Sequence, residues 1–400
     1  MGEGVRPVRW LLLLFVVIWG CACSVTADDS EVQAEGAAGT FFPSEEGSGQ
    51  ELFEEQEIAD YIDLDAIEYR VDVFSETEKL SFTQLVTGFL RGEIPFELKK
   101  LPSLLVDLLF REIKEQKQMA LQIIWIVLAS ALFSNFVRMF DNSQIADISF
   151  YMVYLLISAL LVRSFSSLAE IVSGTCSAMN DFMKVLLPSY IGTVVLGAGT
   201  VTAVGFYEIT VFAINLLQIF IIRLVLPAIN FYLILLILNQ MAKEDYFSRL
   251  AGLVETVVGW MTKTLLGLVI GLQTVQCLMA PAIDSLKNSS VHRLARAIPG
   301  VGTVLDTAAE TVAGSALVIK NAVGIAGIVV LAAICLTPLL KLAACIFVFH
   351  FLCAVIQPVS EKRMVEGIES ISRGAVLLLR VLAASVSVFV ISLAMITAAG

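Results

Sequence analysis

The chain has 400 residues, 58% of them hydrophobic and 16% charged, with a mean hydropathy of +0.85. Ordinary soluble domains carry about 45–50% apolar and about 25% charged residues, so the composition excludes a chain solvated by water alone. The net charge of −11 is local: residues 28–79 hold 17 Asp/Glu against 2 Lys/Arg, a balance of −15 that leaves +4 elsewhere. So acidic a segment repels phosphate, which argues against nucleic acid as a partner.

Arg6 and Arg9 precede the apolar run 10–18, and small residues follow up to Val25, Thr26 and Ala27. A charged start, a short core and small residues at the −3 and −1 positions are the layout of a secretory signal. Residues 1–27 therefore read as a signal peptide that exports the segment beginning at Asp28. A lipid-modified Cys21 after Gly20, with bulky Trp19 against it, and an uncleaved anchor are the alternatives.

Residues 28–79 read as a flexible, acidic, extracytoplasmic segment, too poor in apolar residues to offset the entropy of ordering. Residues 80–118 read as amphipathic helices broken near Gly92 and Pro95. There Leu101, Leu104, Leu105, Leu108 and Leu109 recur on one helical face, and Pro102 suits a first turn. Such a face needs cover from the bilayer interface or from a partner.

Residues 119–400 form the transmembrane helix bundle, with apolar runs predicting about seven or eight spans. These lie near 119–138, 146–165, 185–205, 209–239, 262–281, 321–338, 341–357 and 375–397. The fourth is overlong and contains Arg223 and Pro227, so it is tilted, kinked or two half-spans. In residues 165–184, Leu168, Ile171, Val172, Cys176, Met179 and Met183 make one face. Glu170, Ser173, Ser177, Asn180, Asp181 and Lys184 make the other. That pattern predicts an in-plane interfacial helix or, alternatively, a helix lining an aqueous path. Residues 282–320, with Lys287, His292, Arg293, Arg296 and Lys320, read as the largest linker.

The predicted fold is all-α: a polytopic membrane helix bundle with interfacial amphipathic helices and an acidic, partly disordered N-terminal segment. An exported N-terminus followed by eight spans puts 139–145, 282–320 and 358–374 in the cytoplasm. Arg293, Arg296, Lys362, Arg363 and Arg373 then satisfy the positive-inside tendency.

No catalytic motif is visible. His292 and His350 belong to no HExxH or similar spacing, and neither a GxSxG elbow nor a Walker lysine loop occurs. The Gly-rich stretch at Pro299 reads as a turn, since no lysine follows it. His350, between Phe349 and Phe351, reads as a polar residue of a helix interface. Cys176, Cys277, Cys335, Cys345 and Cys353 form no CxxC and read as small buried apolar residues. Neither enzymatic activity nor a metal or other cofactor is expected.

Polar residues at membrane depth are more informative, because a charge at a span centre costs about 2.5–3.5 kcal/mol even on the insertion scale. Asn215, Gln218, Arg223, Pro227 and Asn230 form short polar rows on one helix. They are the candidate pore-lining or partner-binding stripe, with helix-to-helix hydrogen bonding as the bland alternative. Gly267 and Gly271 make a GxxxG and read as a helix-packing surface, within the chain rather than between copies. Arg163 and Arg380 read as snorkelling residues near span ends.

Four local stretches add a further signal: Phe182-Met183-Lys184-Val185-Leu186-Leu187-Pro188, Ile298-Pro299-Gly300-Val301-Gly302 with Asp306, Leu317-Val318-Ile319-Lys320-Asn321-Ala322-Val323-Gly324, and Gln357-Pro358. With the order of features above, they resemble the stage III sporulation protein AE family, multi-pass membrane proteins of endospore-forming bacteria, from about Leu80 onward. The resemblance implies a role in the assembly that links mother cell and forespore across two membranes. It implies as partners a traffic ATPase, ring-forming membrane subunits and a forespore-side protein, and it brings no catalytic residues.

The expectation is thus a non-enzymatic membrane subunit of a transenvelope channel or secretion complex, multi-pass in the mother-cell membrane. Its partners would be those proteins and membrane lipid. A self-sufficient transporter or permease is the runner-up, with the Arg223 to Asn230 stretch as its candidate substrate site. An intramembrane enzyme, the third class, would need paired titratable groups at membrane depth.

Overall fold

The structure, a computed structural model, describes residues 86–87, 101–138, 143–198, 200–242, 245–295 and 302–399, with backbone alone at several helix ends. The signal peptide, the acidic segment, the 92–95 break and the turn at 299–301 lie outside the described residues. Helix α1 runs Leu101–Arg138, α2 Ser143–Ala198 and α3 Thr200–Phe220. A π-helical turn, Ile221–Val225, leads into α4, Leu226–Met241; then come α5 Ser248–Ala295, α6 Gly302–Ile356 and α7 Lys362–Ala399. Among the described residues there is no strand.

Six stretches among the described residues are long and apolar enough to cross a membrane: Val106–Phe133, Phe150–Pro188, Glu208–Met241, Ser248–Gln276, Asn321–Ile356 and Lys362–Met395. The expected eight spans count two helices twice. Spans 146–165 and 185–205 fall largely in α2, which is 56 residues long, and spans 321–338 and 341–357 in α6, which is 55. Pro188 and Pro338 both lie inside helices. A proline in a helix interior forfeits one hydrogen bond and costs about 3 kcal/mol. Packing offsets that cost: Leu186, Leu187 and Tyr190 are buried around Pro188, and Ile334, Cys335 and Leu342 around Pro338.

Residues 165–184 are accordingly the middle of α2 rather than a separate in-plane element. The expected linker 282–320 is helical as well, apart from 296–301, which lies outside the described residues. Helix α1 likewise continues from Leu101 through the expected boundary at 118–119. Leu108 and Leu109 on its apolar face are half-buried.

The overlong fourth span is one helical run with a defect. Pro227 has no N–H for the carbonyl of Arg223, and its ring crowds that oxygen. The ladder widens to compensate: the Leu226 N–H donates to the Ile221 carbonyl, the π spacing.

Cross-helix contacts fix the directions. A Cβ on Gly367 would come within 2.9 Å of the Tyr154 ring, and one on Gly374 within 2.7 Å of Phe165. The Cys176 thiol donates to Ser385 Oγ at 3.7 Å. From Tyr154 to Cys176, therefore, α2 climbs alongside α7 in the same direction. Gly327 of α6 meets Leu186 and Leu393, whereas Cys353 meets Val365, so α6 descends. The Tyr154 hydroxyl donates to the Ile237 carbonyl at 2.9 Å, and Asn180 reaches Asn215, so the α3–α4 run descends too.

The start of α2, the end of α4 with the start of α5, and the 357–361 connection thus share one end of the bundle, and the end of α5 and the start of α6 lie at the other. This corrects the expectation that 282–320 and 358–374 lie on one side, because a continuous α6 crosses once where two spans had been expected. The α4–α5 turn is held by Asn239, which donates from Nδ2 to Asp245 at 3.2 Å and accepts from the Phe247 N–H at 2.9 Å.

Candidate functional site

The five residues expected to form a polar stripe do not share a face. Gln218 is buried at 7% exposure, and its Oε1 has no hydrogen-bond partner. Asn215 is exposed and accepts from Asn180 Nδ2 at 3.5 Å, while Asn230 is half-buried. Arg223 and Pro227 point out of the bundle at the π-helical turn. The reason is angular: a residue advances about 100° per step, so 215 and 218 straddle the edge of the buried arc. Arg223, two residues and about 200° beyond the buried Ile221, falls on the outer side.

Buried amides and hydroxyls of other helices meet at the height of Ser392. Thr210 Oγ1 of α3 donates to Gln276 Oε1 of α5 at 3.2 Å. Gln273, 3% exposed, donates from Nε2 to Ser392 Oγ of α7, which passes its own hydrogen to the Val388 carbonyl at 2.6 Å. Gln273 Oε1 and Gln276 Nε2 are buried without a partner. Side-chain bonds of this kind hold helices together where lipid gives no hydrophobic drive for association.

The middle of α2 carries a second feature. Its apolar residues Leu168, Val172, Cys176, Met179 and Met183 are buried in the core, together with Asn180. The opposite face exposes Arg163, Ser166, Ser167, Glu170, Gly174 and Lys184, with Ser173, Ser177 and Asp181 half-exposed. Lys184 pairs with Asp181 at 3.5 Å. At spacings of three and four these residues make one strip of small and polar side chains, inside a candidate span of 39 residues. At about 1.5 Å per residue that span is about 58 Å long, nearly twice the hydrocarbon thickness.

Sequence reasoning missed an ionic cluster. Glu112 of α1, 2% exposed, lies 3.7 Å from Lys341 Nζ of α6; Glu115 lies 3.6 Å from the same ammonium and Arg111 3.6 Å from Glu112. The visible signal was a lone lysine in the apolar run of α6, which reads as a span boundary. A carboxylate on another helix neutralises it and lets the helix pass.

Among the described residues nothing packs on Gly267 or Gly271: a Cβ on either meets nothing within 4 Å. This corrects the intramolecular reading, since α5 turns that side away from every described neighbour. Arg380 lies midway along its span rather than near an end, and His350 is exposed rather than in a helix interface. Cys176, Cys335 and Cys345 are free and buried, as small apolar residues would be, and Cys353 is free and half-buried. Among the described residues no three metal-ligating side chains come together.

Comparison with known proteins decides the family. The model described as Stage III sporulation protein AE matches residues 80–400. The chain belongs to the stage III sporulation protein AE family. A relative from Bacillus subtilis (strain 168), named Stage III sporulation protein AE, is 24% identical over 397 residues, which covers 99% of this chain and 98% of the relative. No solved structure matches. The family places this polytopic membrane protein in sporulation.

Proposed function

We propose that the chain is a non-enzymatic membrane subunit of a transenvelope channel or secretion complex, in the mother-cell membrane facing the forespore. The observation that carries this reading is the strip on α2. Five serines and glycines around Glu170 turn outward from a helix that is otherwise apolar. Hydrocarbon is a poor solvent for such a face, so water or polar protein covers it in the assembled state.

Orientation follows from the same reading. An exported N-terminus puts the end of α1, and with it the connections at 242–247 and 357–361, in the cytoplasm. Arg249, Lys362 and Arg363 lie near that end and are exposed or half-exposed, in keeping with the positive-inside tendency, whereas Lys287 and Arg293 near the end of α5 fall on the outer side against it. A traffic ATPase of the complex would meet this end, and ring-forming subunits the opposite one.

The test is labelling with a charged, membrane-impermeant maleimide in membranes of sporulating cells. Cysteines placed at Ser166, Ser173 and Ser177 should react at least tenfold faster than one at Leu156, which is exposed on the apolar part of α2. Equal, slow reaction at all four positions would remove the aqueous path. Solute flux through the purified chain in liposomes, without partners, would favour a permease instead.

A further inference from the structure

Helices α5 and α7 run side by side in one direction. The Tyr232 hydroxyl donates to Glu255 of α5 at 3.2 Å, and the next residue, Leu233, lies against Gly374 of α7. Gln273 of α5 donates to Ser392 of α7. Both points give the same offset between the helices, 119 residues, which sets Lys263 level with Leu382 and less than a turn from Arg380.

Both cations lie midway along candidate spans, Ser248–Gln276 and Lys362–Met395, and both are exposed. Among the described residues neither has an acidic partner within 4 Å, in contrast to Lys341 at similar height on α6. On α5 Lys263 stands beside the exposed Trp260 and between glycines. Gly259 and Gly267 stand one turn to either side and Gly252 lies further down the same face, and a Cβ on any of them meets nothing within 4 Å.

A bilayer centred on these spans leaves an ammonium away from both headgroup layers, at a cost of about 2.5–3.5 kcal/mol on the insertion scale. The glycines offer lipid no side chains, but they let another backbone approach closely. Together, unpaired charge and close access fit one occupant.

We propose that the flank of α5 carrying Gly259, Lys263 and Gly267 seats a transmembrane helix of a different polypeptide, which bears an Asp or Glu carboxylate at the depth of Lys263. A second copy fits poorly, because a two-fold contact on this flank sets Lys263 against Lys263. The exposed, unpaired carboxylate at this height among the described residues is Glu170, which belongs to the strip on α2. The proposal rests on the subunit reading above and names the chemistry of one partner.

A photoreactive phenylalanine analogue at position 267 of the full-length chain, expressed in sporulating cells, tests it. The expected adduct exceeds the 43.4 kDa chain by the mass of a second protein, and the captured span contains Asp or Glu. Lys263→Glu should cut the adduct at least tenfold without lowering protein level, and changing the partner's carboxylate to lysine should restore it. An adduct of twice the chain mass, lipid adducts alone, a captured span without a carboxylate, or failure of the charge swap would each overturn the proposal. Maleimide labelling of the α2 strip in the same cells separates the two readings. Loss of the adduct with labelling intact removes this inference alone, and loss of labelling with the adduct intact removes the aqueous path alone.

Discussion

Helices α5 and α7 are neighbours, both apolar and both glycine-bearing, yet their glycines serve opposite ends. On α7, Gly367 and Gly374 are two turns apart and lie under Tyr154 and Phe165 of α2, so an added Cβ would collide with an aromatic ring. On α5, Gly252, Gly259, Gly267 and Gly271 face open space. The lysines of the long helices divide the same way: Lys341 on α6 is held by Glu112 and Glu115, whereas Lys263 on α5 has no carboxylate within reach among the described residues. A small residue or a charge in a span therefore has no fixed meaning. Its meaning comes from whether another helix of the same chain lies over it.

The largest effect should come from Lys341→Met, which leaves Glu112 buried with only Arg111 nearby. Breaking such a pair costs about 3 kcal/mol, at the low end of the usual range because the lysine is itself one-third exposed. Thermal unfolding in detergent should show the loss, and the double variant Glu112→Met with Lys341→Met should recover most of it. Lys263→Met, by contrast, should unfold at the wild-type temperature. If the two lysine variants behave alike, the contrast between covered and open helices fails.

Gly374→Val should cost about 1–3 kcal/mol by overpacking against Phe165. A variant as stable as the parent would mean that α2 and α7 do not pack in parallel at this height. The smallest effect belongs to Gly267→Ala, which should leave stability unchanged or raise it by up to about 1 kcal/mol through helix propensity. Gly259→Ala, with the photoreactive residue kept at position 267, should weaken the crosslink expected at this flank, whereas a clear drop in the stability of Gly267→Ala would indicate a contact within the chain.

Much of the fold is legible along the chain. Helical class, membrane solvent and family all follow from composition and local pattern, and Arg223 with Pro227 marks a defect that the structure resolves as a π-helical turn. The site was less legible. The amphipathic pattern of 165–184 correctly sorted the buried Leu168, Val172 and Met179 from the exposed Glu170, although Asn180 went inward to meet Asn215. Gln273 and Gln276 gave no sign at all, because a glutamine in an apolar run looks the same whether it meets Ser392, Thr210 or nothing.

The sequence by itself determined the solvent, the secondary structure and the sporulation family, since each depends on composition or on residues within a turn or two of one another. Only the tertiary structure decided how many helices there are, because Pro188 and Pro338 end a helix or sit inside one according to the packing around them. It also decided which charges are neutralised and which glycines are covered. Glu112 and Lys341 lie far apart in the chain, and burial is set by the helix that folds back over a residue, not by the residues beside it.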